Sequence, residues 1–287
     1  MKLKNAYIFL LILFVTSIAS AQWVKEKGKG YYKVSAWYLE ADEHYTSTGA
    51  KDPNATRGQF NVNFYGEYGL SNKLTTTLYL PFFARTYQNE QVSGTTGNIL
   101  AEGEALNSIG DIDVGITYGI VQKGNLALSA SLIFGIPSGN NSGGSDGSFQ
   151  TSDGEFNQYI KSAIGIPFHI GDSNAYASAH VGFNNRTKGF SDELRTGLEL
   201  GVNTLSDKLW LIGKLNVIQS LNNGSLTAQN AQGSIFANNI EFTCLGIEAN
   251  YYFTKKLGVS INYTSALGGR IIYAAPSYSA GLFLDIK

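Results

Sequence analysis

The feature that most constrains this chain is a two-residue alternation of apolar and polar side chains. Over Phe60–Tyr68 the residues pass alternately from an apolar face to a polar one, and Leu74–Tyr87 and Asp111–Val121 repeat the pattern. Successive side chains of a β-strand point to opposite faces, so this period predicts strand and argues against helix. No stretch after residue 21 is apolar for long enough to form a membrane-spanning helix.

The same alternation continues to the end of the chain and predicts 12 antiparallel strands. The predicted strands are Tyr31–Ala41, Gly58–Gly69, Leu74–Tyr87, Gly110–Val121, Leu126–Ile136, Phe156–Phe168, Ala175–Asn184, Asp192–Thr204, Leu209–Leu221, Ile240–Phe253, Leu257–Ala266 and Ser277–Ile286.

The connections between these strands alternate between tight and long. Outer-membrane barrels have short periplasmic turns and longer external loops, so the sequence predicts an all-β, transmembrane, up-and-down β-barrel with both termini in the periplasm. A soluble β-sandwich is the alternative, but its strands usually have about 5–6 residues and its loops need not alternate in length. The predicted long connections are Asp42–Thr56, Gln88–Ile109, Pro137–Glu155, Asn185–Ser191, Asn222–Asn239 and Leu267–Pro276.

The N-terminus predicts export through a cleaved signal peptide, residues 1–21. Lys2 and Lys4 precede an apolar run, Ala6–Val15, which is too short to span a membrane, and small residues end at Ala21. A retained anchor is the alternative. Residues 22–287 would form the barrel, and we expect Gln22–Gly30 to be too short for a folded plug.

The charge and cysteine content restrict the function further. Without Lys2 and Lys4 the 21 basic residues fall to 19 against 22 acidic ones, a net charge of −3, which argues against a nucleic-acid partner. The lone Cys244 permits no internal disulfide. His44 and His169 have no second ligand at a useful spacing, so we predict no metal site and no cofactor.

In a lipid-embedded barrel the apolar face points outward and the polar face lines the lumen. Both signs of charge occur on the predicted polar face, which suggests ion pairs across the lumen, either around an open path or filling it. Twelve strands lie between small filled barrels and wide porins, so a narrow or loop-gated conduit is expected. The predicted pore-lining residues are Asn61, Asn63, Glu67, Arg85, Asp113, Lys161, His180, Arg195, Glu199, Lys214 and Glu248.

Three ordered segments carry a family resemblance: Tyr68–Phe82, Ile109–Tyr118 and Phe134–Gly139, the last followed by Ser152-Asp153-Gly154. Their order resembles the meta-pathway phenol-degradation family of outer-membrane proteins. The resemblance implies a transporter-like barrel for small hydrophobic or aromatic compounds, and it marks four structural signature positions: Gly110, Asp111, Pro137 and Gly139.

The sequence therefore predicts a non-enzymatic channel of the bacterial outer membrane that passes small, hydrophobic or aromatic molecules by facilitated diffusion. Its expected partners are outer-membrane lipid, the cargo and the outer-membrane assembly machinery. One alternative is a structural or adhesive barrel without flux. A remote alternative is a membrane-embedded hydrolase using His180 with Ser178 and Asn184, which share one strand face.

Overall fold

The computed structural model describes residues 23–226 and 234–287, in which every regular element is a β-strand. The strands are β1 (Gly30–Tyr45), β2 (Lys51–Ser71), β3 (Leu74–Gln88), β4 (Gln91–Val92), β5 (Ile99–Ala101), β6 (Glu104–Ser108), β7 (Ile112–Lys123), β8 (Leu126–Ile136), β9 (Asn157–Ile170), β10 (Ser173–Arg186), β11 (Glu193–Thr204), β12 (Leu209–Ser220), β13 (Glu241–Tyr252), β14 (Leu257–Arg270), β15 (Ile272–Tyr273) and β16 (Ser277–Ile286).

Twelve of these strands form one closed antiparallel barrel, which confirms the predicted fold class. Strand β1 closes the sheet, since Gly30 pairs with Tyr68 of β2 on one side and with Ile286 of β16 on the other. The short strand β6 continues along the end of β3, β15 pairs with the end of β1, and β4 and β5 form a small separate hairpin. Closure leaves no free sheet edge, so backbone groups of the barrel strands find partners without water.

The predicted strands all exist, but two of the predicted long loops are wrong. The expected loop Asp42–Thr56 is mostly strand, because β1 and β2 extend to a tight turn in which the Thr46 N–H donates to the Ala50 carbonyl at 2.8 Å. The expected loop Leu267–Pro276 is shortened because β14 runs on to Arg270. Strands that extend beyond the bilayer pair through their backbones and need no apolar face. The alternation of apolar and polar residues therefore does not mark where such strands end.

The two faces of the barrel have the inverted polarity of a membrane protein. Large apolar side chains are exposed on the outside, including Leu198, Ile247 and Leu282 at 54%, 60% and 64% exposure, while polar residues such as Ser129 and Ser260 are buried on the inner face. The apolar band is therefore available to lipid, and the interior of the barrel holds the polar side chains. Within the described ranges, no helix is long and apolar enough to cross a membrane.

Candidate functional site: the barrel lumen

The lumen brings together the predicted pore-lining residues with one exception. Most of them border cavities inside the barrel, and His180 and Arg195 share a strand face with such residues by alternation. Their role in transport stays a prediction. The lumenal ones are Asn61, Asn63, Glu67, Asp113, Lys161, His180, Arg195, Glu199, Lys214 and Glu248.

Arg85 is the exception: it lies on the outer face, so its assignment to the lumen is wrong. The β2–β3 register shifts between Pro81 and Phe83, and Phe82 and Phe83 are both exposed. A β-bulge of this kind reverses the faces of all following residues. Arg85 consequently donates to the Asn107 side chain on the exposed surface, at 3.0 Å.

Opposite charges in the lumen pair across neighbouring strands. Lys214 of β12 contacts Glu248 of β13 at 2.5 Å and approaches Glu199 of β11 at 4.0 Å. Lys25 lies 3.8 Å from both Glu67 and Asp285, on β2 and β16. These pairs leave mixed charge around the lumen and no ring of one sign, which favours weak ionic selectivity.

Aromatic side chains border one part of the lumen together with these charged pairs. A cavity of about 300 Å³ is bordered by the charged residues of both pairs and by six aromatic rings. Phe283 stacks on Tyr31 with ring centres 5.5 Å apart and meets the edge of Tyr252 at 4.9 Å. Tyr176 and Trp210 form the facing contact at 5.7 Å. The cavity therefore offers apolar ring faces beside hydrogen-bonding and charged groups, a combination suited to a small amphipathic molecule.

A segment before β1 also enters the lumen, as an extended chain and not as the folded plug for which Gln22–Gly30 is too short. Trp23 packs edge-on against Tyr176 at 6.2 Å and against the buried Trp210 and Ile212. Length excludes an independently folded domain but does not exclude an extended segment held by the barrel wall. The signal for it in the sequence is the aromatic Trp23 next to the predicted cleavage site.

The long connection between β8 and β9, residues 137–156, folds over the end of the barrel that the sequence predicts to be extracellular. The Thr86 hydroxyl donates to the Gln150 carbonyl at 2.6 Å, the Arg57 guanidinium donates to Ser148 at 2.9 Å, and Phe149 is buried beneath it. We expected Ser138–Gln150 to be mobile because it is rich in Gly, Ser and Asn. In the structure it is instead packed against β2 and β3.

Three of the four signature positions of the resemblance meet at the root of this loop. Gly110 donates its N–H to the Pro81 carbonyl, and the Gly139 N–H donates to Asp111 Oδ1 at 3.2 Å. A Cβ on Gly139 would lie 2.7 Å from the Thr151 carbonyl oxygen, so only glycine fits this close approach. Burial raises the pKa of Asp111. Pro137 lies beside them as the first residue after β8.

A buried cluster around Arg186 holds the other end of the loop. The guanidinium donates to Asp153, Glu155 and Glu193, each at 2.9 Å, and Glu193 also binds Arg195. Burial raises the pKa of Asp153 and of Glu155, while Arg186 opposes the shift. Alternation alone did not predict this cluster, because two of its carboxylates lie in the loop.

The geometry lends no support to a hydrolytic site. Ser178 and His180 lie on the lumenal face of β10, away from the lipid-facing surface, and no hydrogen bond joins them in the described part of the chain. Among the residues that the structure describes, no three His, Cys, Asp or Glu side chains are grouped to hold a metal ion.

Comparison with solved structures places the fold among outer-membrane barrels. The COG4313 outer membrane channel from Pseudomonas putida F1 superposes with a TM-score of 0.62 at 16% identity, covering 93% of this chain and 99% of that one. The NanC porin gives 0.45 at 10% identity over 89% and 99%, and the translocator domain of autotransporter NalP from Neisseria meningitidis gives 0.47 at 13% over 92% and 91%. No protein-family profile and no curated protein sequence matches the chain. At this low identity the likeness to the Pseudomonas channel shows a shared barrel fold.

Proposed function

We propose that the protein is a channel of the bacterial outer membrane that passes small hydrophobic or aromatic molecules by facilitated diffusion. The observation that carries this proposal is the cavity of about 300 Å³ inside the barrel, where ring faces lie beside paired charges. The resemblance to the phenol-degradation family and the fold shared with a Pseudomonas outer membrane channel support the same class. The proposal assigns no catalytic step and no cofactor.

Export and assembly belong to the same proposal. Cleavage after Ala21 would leave a chain that starts at Gln22, although residues 1–22 lie outside the described ranges. The exposed apolar band then contacts outer-membrane lipid after insertion by the outer-membrane assembly machinery.

Solute uptake into liposomes containing the purified protein tests the function. Because phenol also crosses lipid unaided, uptake is measured as the excess over protein-free liposomes. On this measure we expect phenol to enter faster than glycerol, a polar solute, because the aromatic wall gives phenol a favourable surface. Phe283→Ala should lower this preference severalfold, since Phe283 joins Tyr31 and Tyr252 in that wall. Leu282→Ala is the matched control, because the neighbouring residue of β16 is 64% exposed on the lipid-facing side.

A structural barrel without flux is the second candidate, and the ion pairs across the lumen favour it. Lys214 with Glu199 and Glu248, and Lys25 with Glu67, occupy part of the cross-section. Liposomes that stay closed to every solute, including with variants that shorten lumenal side chains, would establish this alternative and exclude the channel.

A further inference from the structure

A second cavity of the lumen, of about 310 Å³, has a different lining from the cavity of about 300 Å³ described above, here the aromatic cavity. The two cavities share Lys33 and Tyr65, and along β1 the second one continues from Lys33 to Trp37. Four carboxylates border the aromatic cavity, whereas no Asp or Glu is among the described residues that border the second one. The second cavity, here the donor cavity, therefore holds a positive charge that no acidic lining residue neutralises.

That positive charge is the ammonium group of Lys33. Within residues 23–226 and 234–287 it makes no ion pair and no hydrogen bond. The carboxylate of Glu248, which borders the aromatic cavity together with Lys33, is already bound to Lys214 at 2.5 Å. Ionisable side chains inside a membrane protein are costly and, where the protein gives them no partner, mark the path of an ion or a substrate. The structure thus leaves Lys33 available to an anion.

Asn63 adds a hydrogen-bond donor beside Lys33. Lys33 of β1 pairs with Tyr65 of β2, so Asn63, two residues before Tyr65, is the diagonal neighbour of Lys33 on the lumenal face. Asn63 is buried, and its Oδ1 accepts a hydrogen bond from the Tyr79 hydroxyl at 3.1 Å. No described residue accepts from its Nδ2, so the amide N–H groups remain able to donate to a ligand. An ammonium group and an amide donor on one wall are suited to binding a carboxylate.

The donor cavity also offers apolar surface to a ring. Trp37 borders it and packs with Ile235, from the connection between β12 and β13, against a buried apolar cluster. The indole is therefore held in place without a ligand, and Tyr65 and Tyr79 border the same space. Aromatic faces that are already fixed lose little conformational entropy when they contact a flat ring.

We propose that the donor cavity binds small aromatic carboxylates, with the carboxylate at Lys33 and Asn63 and the ring against Trp37. A neutral phenol contacts the same rings but gives Lys33 no opposite charge, so the cavity favours the aromatic acid over the neutral compound. The proposal rests on the proposed channel function and names the class of cargo that the lumen selects.

Equilibrium dialysis of radiolabelled benzoate against the detergent-solubilised protein at neutral pH tests the site without requiring flux. Lys33→Met should weaken benzoate binding about tenfold, the change that about 1.4 kcal/mol produces, whereas Lys33→Arg keeps the cation and should stay close to wild type. Benzyl alcohol has the same ring without the carboxylate, so it should bind wild type and Lys33→Met alike, which also shows that the variant is folded. Lys208→Met, in the exposed turn between β11 and β12, is the control and should leave benzoate binding unchanged. Equal benzoate affinity for wild type and Lys33→Met would overturn the proposal.

Reversal potentials in planar bilayers under a gradient of sodium benzoate separate the site from the channel. Lys33→Met should shift the reversal potential toward that of Na⁺ relative to wild type, because the anion loses its binding group. If phenol uptake exceeds that of protein-free liposomes while Lys33→Met changes neither benzoate binding nor the reversal potential, the aromatic-acid proposal fails and the channel function stands. If benzoate binds through Lys33 but neither current nor solute crosses, the channel function fails, and the selection of cargo fails with it.

Discussion

The two ends of the lumen are closed in different ways. At the extracellular end, the loop of residues 137–156 is held by Arg186, which makes three charged hydrogen bonds of 2.9 Å in a buried site. At the periplasmic end, the segment Trp23–Lys29, here the N-terminal segment, is held by main-chain hydrogen bonds to Gly69, Asn72 and Thr75 and by Lys25, whose two ion pairs are each 3.8 Å long. A buried guanidinium that makes charged hydrogen bonds to several carboxylates is costly to separate, whereas ion pairs of 3.8 Å lack such hydrogen bonds and contribute less.

The two closing segments also differ in how they are attached to the barrel. The extracellular loop is joined to the barrel at both of its ends, and its polar groups are satisfied where they lie. The N-terminal segment leads directly into β1, and its charged anchor inside the barrel is Lys25. We therefore expect substitutions in the extracellular cluster to cost more stability than substitutions at the N-terminal segment.

Replacing the guanidinium at the extracellular end should have the largest effect. Arg186→Met leaves Glu155 and Glu193 buried without their cation, a situation that costs about 3–5 kcal/mol. Thermal unfolding of the purified barrel in detergent would show a marked fall in Tm. Arg85→Met, on the exposed outer face, is the control, and an equal Tm for Arg186→Met and wild type would remove the contrast between the two ends.

A matched pair of glycines compares the ends directly. Gly139→Ala sets a Cβ 2.7 Å from the Thr151 carbonyl in a clamped loop, so we expect a loss of about 1–3 kcal/mol in stability. Gly69→Ala makes a closer clash, 2.0 Å from the Glu26 carbonyl oxygen, but with a segment outside the strand ladder, so we expect a smaller fall in Tm. The comparison fails if Gly69→Ala lowers Tm as much as Gly139→Ala does.

The pH dependence of the extracellular cluster should be smaller and have a definite sign. Burial raises the pKa of Asp153 and of Glu155, so the folded protein binds these protons more tightly than the unfolded chain. The folded state gains stability as pH falls through the raised pKa values and loses it as pH rises through the same window. Tm should therefore increase as the pH is lowered from neutral into the range in which these carboxyls take up protons, and Glu155→Gln should remove its share of that increase. A Tm that falls over this range would contradict the assignment.

The sequence predicted the structure best in the strands, where lipid on one side constrains which side chains can occur. Alternation predicted the bounds of β8 and the lumenal side of Lys214 and Glu248, because lipid on one side of a strand imposes a strict period of two. It failed for Arg85, because one extra residue at a β-bulge reverses the faces of the residues that follow it without changing the types of residue in the strand.

The ends of the lumen could not be predicted in the same way. Arg186 and Glu193 lie near the ends of β10 and β11, and their partner Glu155 lies in a loop, where no period relates one residue to another. The path of the N-terminal segment depends on Gly69 and Gly119, which look like ordinary strand glycines in the sequence. Only the structure shows that the N-terminal segment lies against both glycines.

The smallest expected effect concerns the bulge that turns Arg85 outward. Arg85→Ala removes a side chain that contacts Asn107 and lies 5.6 Å from the Tyr87 ring on the exposed surface. Surface replacements of this kind change stability by roughly 0.5 kcal/mol or less, so Tm should stay near that of wild type. Ion selectivity in planar bilayers should also be unchanged, because the charge lies outside the lumen, whereas Lys214→Met should shift selectivity toward cations by freeing Glu248 and Glu199. A selectivity change with Arg85→Ala equal to that of Lys214→Met would place Arg85 in the conduction path and show that the bulge does not reverse the strand in the membrane.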